Sequence, residues 1–287
     1  MKLNEGRGIS EPSKQEIEKI FNLFLKNGYG KLPYKLLNKI ILIEFCKNDN
    51  YDSFFYKNNK IHIMTFSIPE NYDTIKLKEI ITHEITHFIE IYNIEKKGFN
   101  YPNYNKIKLS LSEYNPKSKV MKFFKYLIYK TLDNEINANI SQTYTYLKSF
   151  NSSDEDFLRN KLEKYEVRKD YTDIININVE SLIIDISDEI EELKFFNQKL
   201  IDNDVFNFYT FLLKIDNVPF YIRSWMKIIK NNSKKVIKKQ DNIIKEVIED
   251  QNYSTEFTVS ENSILNYKEY LKENLNNDES KRSFGKI

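Results

Sequence analysis

Cysteine is almost missing from this chain: Cys46 stands alone among 287 residues. A single thiol cannot close an intramolecular disulfide, so nothing indicates a disulfide framework or the oxidising compartment that builds one. Its place after the apolar run Ile40-Ile41-Leu42-Ile43-Glu44-Phe45 gives it a packing role, the habit of free cysteine. Glycine is scarce as well, and no Gly-rich phosphate loop is present. No apolar run reaches the length of a membrane span. The first twenty residues, with Asn4, Glu5, Arg7, Glu11 and Lys14, lack the apolar stretch of a signal peptide. The expectation is a soluble product made in the cytoplasm, with no membrane partner; a virion or a non-classical export route stays open as its destination.

An excess of one charge is also lacking. Lysine plus arginine number 44 and aspartate plus glutamate 42, a formal net charge of +2, so no whole-molecule field draws the chain to nucleic acid. Basic residues do gather between Lys227 and Lys245, where Lys230, Lys234, Lys235, Lys238 and Lys239 surround a stripe of Ile228, Ile229, Val236, Ile237, Ile243 and Ile244. The solvated face of a packed helix explains that pattern. Contact with nucleic acid or an acidic partner is the sharper alternative.

What is present is helical periodicity. Ser13 with Glu16 resembles a capping box, and Ile17, Ile20, Phe21 and Phe24 follow at helical spacing as far as Asn27-Gly28. Leu36 to Phe45 reads as a second, buried helix. Tyr51 to Tyr56 and Lys60 to Ile68 are rich in aromatic and branched residues around Asn58-Asn59, which predicts a hairpin. From Ile75 to about Ile94 the apolar positions Leu77, Ile80, Ile81, Ile85, Phe88, Ile89 and Tyr92 predict a long buried helix, with loop at Tyr101-Pro102-Asn103. Asn115-Pro116 is placed to open another, running through Phe124, Leu127, Ile128 and Leu132 towards Leu147. Beyond it, helices are expected at about 154–168, 180–201, 204–215, 218–250 and 261–274. The fold class is therefore α+β, predominantly helical, with a small sheet. It divides into residues 1–150, a helical domain over 151–275 and a flexible tail over 276–287.

Histidine, with three residues, carries the chemistry. Thr82-His83-Glu84-Ile85-Thr86-His87 holds the pattern His-Glu-x-x-His inside a predicted helix. Four residues of helix put both imidazoles on one face, about 6 Å apart along the axis, so that one ion can bind both. Glu84 projects beside them. A metal brings the acidity of a bound water towards neutrality, and a neighbouring carboxylate can take its proton during attack on a carbonyl carbon. With two of the three histidines committed, a Ser-His-Asp or Cys-His nucleophile system has no base to use.

These residues resemble the zincin metallopeptidases. The metzincin branch continues the motif with a glycine and a third histidine, where this chain has Glu90 and Asn93, so the resemblance is to the glutamate-liganded branch, the gluzincins. In that branch the third ligand sits on a later helix, in a glutamate followed by small or polar residues. Asp133-Asn134-Glu135-Ile136-Asn137-Ala138 has that form, and Glu135 lies 48 positions after His87, a separation similar to that of lethal-factor-like peptidases. The resemblance covers roughly residues 60 to 140.

It implies a zincin-like catalytic domain over residues 1–150, a Zn2+ cofactor on His83, His87 and Glu135, Glu84 as the general base, and a protein or peptide substrate. The rival ligands are Glu90 and His62. Glu90 shares the histidine face but lies about 10.5 Å along the axis from His83, which strings the groups in a row; it can instead orient an imidazole. His62, in Ile61-His62-Ile63, can line the cleft that zincins form beside a strand edge, where an extended substrate adds by strand pairing. A tyrosine that would stabilise an oxyanion cannot be chosen from twenty. The alternative function is a structural or interaction protein, such as a phage-particle or toxin-like component, whose zinc site is not catalytic.

Overall fold

A computed structural model describes residues 11–58, 61–96, 104–203, 205 and 215–257. Within them the chain is α+β and mostly helical, with ten helices and a four-stranded mixed sheet. Helix α1 (Glu11–Asn27) ends where expected. Gly28 takes a φ of 68°, a left-handed conformation open to a residue without Cβ, and its N–H bonds the Phe24 carbonyl at 2.7 Å.

The buried helix expected over Leu36 to Phe45 is instead a hairpin. Strands β1 (Gly30–Leu36) and β2 (Lys39–Lys47) pair antiparallel across Leu37-Asn38. Both turn residues have positive φ, 46° and 67°, which matches the twist of the flanking strands. Glycine normally marks such a turn, and none is there. In β2 the period is two: Ile41, Ile43 and Phe45 are buried while Ile40 is 75% exposed. A short apolar run of branched residues fits strand and helix equally until its exposed face is known.

Strands β3 (Asp52–Asn58) and β4 (Ile61–Ile68) form the expected hairpin, although Asn59 lies outside the described residues. Strand β4 also pairs parallel with β2, giving the order β1-β2-β4-β3 with β3 on one edge. One face of this sheet, with Phe45, Met64 and Phe66 at its centre, is covered by α1 and by α2 (Thr74–Lys96). Asp73 caps α2: its Oδ1 accepts from the Ile75 and Lys76 amides at 2.7 and 3.1 Å.

The all-helical remainder has more breaks than its periodicity suggests. Helix α3 (Tyr104–Glu113) was not anticipated. The single helix expected from Asn115-Pro116 to Leu147 is two, α4 (Lys119–Lys130) and α5 (Asp133–Lys148), and Ser118, not Asn115, caps the first by accepting from the Met121 amide. The break falls at Thr131-Leu132, where the Thr131 hydroxyl bonds the Leu127 and Ile128 carbonyls and Leu132 is extended at φ −67°, ψ 143°. The stretch expected as 154–168 splits at Tyr165 into α6 (Glu155–Lys164) and α7 (Glu166–Asn176). The 180–201 stretch becomes α8 (Val179–Ser187) and α9 (Ile190–Asp202), and α10 (Val218–Phe257) runs longer than expected. The Tyr101-Pro102-Asn103 loop, the helix at 261–274, the tail at 276–287 and most of the helix at 204–215 fall outside the described residues.

Two apolar cores result. One joins α1, the sheet and α2; the other joins α3 to α10. The principal seam between them is the packing of α2 against α5. Among the described residues no helix is long and apolar enough to cross a membrane.

Candidate metal centre

The seam of α2 and α5 brings His83, His87 and Glu135 together, with one ligand atom of each within 4.8 Å of the others. The two imidazole Nε2 atoms are 3.1 Å apart. Glu135 Oε2 lies 3.4 Å from His83 Nε2, and Oε1 lies 3.4 Å from His87 Nε2. Donors about 2 Å from one tetrahedral ion stand about 3.3 Å from each other, so these separations fit a shared metal. The donor set of two imidazoles and a carboxylate suits zinc and neighbouring first-row ions alike. Among the described residues the group contains three donors and no fourth. His83 keeps 17% of its side chain exposed while Glu135 keeps 3%, so access is from the His83 side.

Folding places each donor for a local reason. The histidines are one turn apart on α2. Glu135 stands in the first turn of α5, where with Asp133 it faces the positive end of the helix dipole. Ala138, one turn on, is fully buried, and its small side chain suits the close approach of α2. Burial alone would raise the Glu135 carboxyl; the hydrogen bonds from His83 and His87 and the charge of Lys108 outweigh it and hold the group well below the usual carboxylate range.

Glu84 is buried, and Ser53 of β3 donates to its Oε1 at 2.7 Å. Its Oε2 has no hydrogen-bond partner among the described residues. A carboxylate anchored by one oxygen and open at the other is set to accept a proton. The two remaining candidates lie apart from the donor group. Glu90, one turn beyond His87, accepts from Asn137 Nδ2 at 2.6 Å. Burial, then the negative charges of Glu135 and Asp133, raise its carboxyl to about 7 against the bond from Asn137 and the charge of Lys108. His62 stacks on Phe55 at 5.6 Å, meets Phe88 edge-on, and lies 3.8 Å from Glu95 at the far end of α2.

Several groups emerge that sequence reasoning missed or could not choose. Lys108, on the unanticipated α3, reaches Glu135 Oε1 at 2.9 Å and stands over the Tyr129 ring. Tyr129, at the end of α4, stands beside Glu135, with Lys108 Nζ against both. Burial, followed by the charges of Glu135, Glu84 and Asp52, pushes its phenol far above the ordinary range, so it stays protonated and able to donate. No spacing rule singles out Tyr129, since the break at Thr131 decides which way it faces relative to Glu135. On the other side, His83 Nδ1 meets Gln142 Oε1 at 3.3 Å, Gln142 Nε2 donates to Glu79 Oε2 at 3.1 Å, and the Tyr165 hydroxyl donates to the same oxygen at 2.8 Å. Burial raises the Glu79 carboxyl, opposed by the bonds from Gln142 and Tyr165 and the charge of Lys76.

Comparison of the chain with protein-family models, with curated proteins and with solved structures returns no match. The functional reading therefore rests on the geometry of the site.

Proposed function

We propose that the chain is a zinc-dependent metallopeptidase similar to the glutamate-liganded zincins, with its catalytic centre at the α2–α5 seam. The observation that carries this reading is the convergence of His83, His87 and Glu135 beside a buried Glu84 whose Oε2 has no partner among the described residues. A metal ion bound there supplies a Lewis acid and brings a water's acidity towards neutrality. His83 and His87 would hold it from one helix, with Glu135, kept ionised by its neighbours, as the third donor.

Glu84 then accepts the proton of the attacking water at Oε2 and returns it to the leaving amine, while Ser53 fixes Oε1 and so the direction of the carboxylate. Tyr129, protonated and adjacent to Glu135, supplies a hydrogen bond where negative charge develops on the substrate carbonyl oxygen. Strand β3 lies against α2 at the sheet edge and carries Ser53, so an extended peptide added to that edge would run past Glu84. Among the described residues the group holds three protein donors and no fourth, which would leave a coordination position for water or substrate and supports a catalytic over a structural metal.

The test is Glu84→Gln. It should keep the metal and the fold yet lose peptide hydrolysis by about 100-fold or more, because the amide cannot take the proton. Hydrolysis by Glu84→Gln at the wild-type rate rules the mechanism out, and a zinc-loaded wild type inert towards broad peptide libraries rules out the peptidase reading.

A further inference from the structure

The chain His83–Gln142–Glu79–Tyr165 runs from the candidate metal centre into the second core. All three links are defined by distance, and Gln142, Glu79 and Tyr165 are 7%, 2% and 4% exposed. We propose that Glu79 is a positioning residue that acts through Gln142 to fix the tautomer and orientation of His83, and that Tyr165 makes this depend on the helical half of the chain. The inference rests on His83 being a metal ligand, and so on the reading above, but it requires no turnover.

The logic is that of donors and acceptors. An ionised carboxylate only accepts, so Glu79 Oε2 can face only the amide nitrogen of Gln142, as it does at 3.1 Å. That orientation turns Gln142 Oε1 towards His83. A carbonyl oxygen also only accepts, so it favours the imidazole proton on Nδ1. Glu135 Oε2, 3.4 Å from Nε2, favours the other nitrogen while no metal is bound; a metal in that place would remove the competition and leave Nε2 as the ligand. Without the Glu79 carboxylate the Gln142 amide could present either end. Tyr165 donates to the same oxygen at 2.8 Å from the junction of α6 and α7. Its ring stacks on Tyr146 of α5 with centroids 4.0 Å apart, so the carboxylate is held by a residue that belongs to the second core.

The tautomer of His83 in zinc-loaded wild-type protein at pH 8, read from nitrogen–proton correlation spectra of the three histidines, tests the first step: the proton is expected on Nδ1 with the metal on Nε2, and a proton on Nε2 overturns the proposal. Zinc affinity by competition with a chelator tests the second. Glu79→Gln should weaken zinc about 10- to 100-fold, the usual cost of losing a partner behind a ligand, and shift the His83 resonances while leaving those of His62 in place. Tyr165→Phe removes one hydroxyl, is the milder change for folding, and should weaken zinc in the same direction by less. Unchanged zinc affinity in either folded variant, with or without a loss of stability, assigns these residues a purely structural role and overturns the proposal. Peptide inertness of the wild type would sink the peptidase reading while leaving the relay standing.

Discussion

The sheet-bearing core and the all-helical core each lend one helix to the centre, and they lend it in different ways. Helix α2 is mostly buried from Leu77 to Phe88 and presents His83, Glu84 and His87 within a little over one turn. Helix α5 offers one carboxylate from its first turn, three residues after a break that its own sequence does not announce. Spacing alone aligns the imidazoles, because both ride on the same rigid repeat. Glu135 is useful only because a second body of structure, assembled over residues distant in the chain, docks α5 at the right height along α2.

That contrast can be broken by metal binding. Replacing both histidines, His83→Ala with His87→Ala, should abolish the roughly one zinc per chain expected of protein purified without added metal, since no pair of donors remains on either helix. Glu135→Ala should leave a weak two-imidazole site, its affinity reduced by more than about 100-fold, the upper range of what partners behind a ligand contribute. Full zinc retention in the folded double variant would refute the site. Equal affinity for Glu135→Ala and wild type would move the third ligand elsewhere.

The independence of the two cores is open to a smaller test. Phe66 is fully buried and stacks on Phe45 in the sheet-bearing core. Truncation to alanine there should cost about 3–5 kcal/mol, from lost transfer energy plus the cavity left behind. In metal-free protein the loss should appear as faster amide exchange in β2 and β4 and much less in α8 and α10. Equal loss in both regions would show one cooperative unit instead of two.

The smallest effect concerns the seam itself. Burial raises the Glu90 carboxyl to about 7, with Glu135 and Asp133 adding to the rise, whereas an unfolded glutamate titrates near 4.3. The native state therefore binds the proton more tightly. The stability this confers is fully present below about pH 4, and is lost as pH rises through 7. Metal-free Glu90→Gln should remove that pH dependence and be more stable than wild type at pH 8, by roughly 1–3 kcal/mol after allowance for its partial exposure. Parallel thermal profiles of the two proteins between pH 5 and 8 would show that Glu90 is already ionised in the native seam.

Legibility followed the range of the interaction. The helix over Thr74–Lys96 and its face were readable because seven apolar positions, Leu77 to Tyr92, repeat at one period. The hairpin of β3 and β4 was readable from its aromatic and branched runs around an Asn-Asn pair. The β1–β2 hairpin was not, because Leu37 and Asn38 adopt positive φ without a glycine and the run after them is apolar on consecutive residues. The break between α4 and α5 was hidden in the same way: no glycine or proline marks Thr131-Leu132, and the apolar stripe runs straight across it. Resemblance to a known spacing drew attention to Glu135, but nothing local separates it from any other glutamate in a first turn.

The sequence by itself determined the pair of imidazoles with Glu84 between them, since helix periodicity is a property of neighbouring residues and needs no partner. Only the tertiary structure decided which carboxylate meets them, which of twenty tyrosines stands beside it, and that Lys108, Gln142 and Glu79 surround it. Those choices are made by the packing of α2 against α5. That packing is set by the summed burial of two separate cores, a quantity that no window of sequence contains.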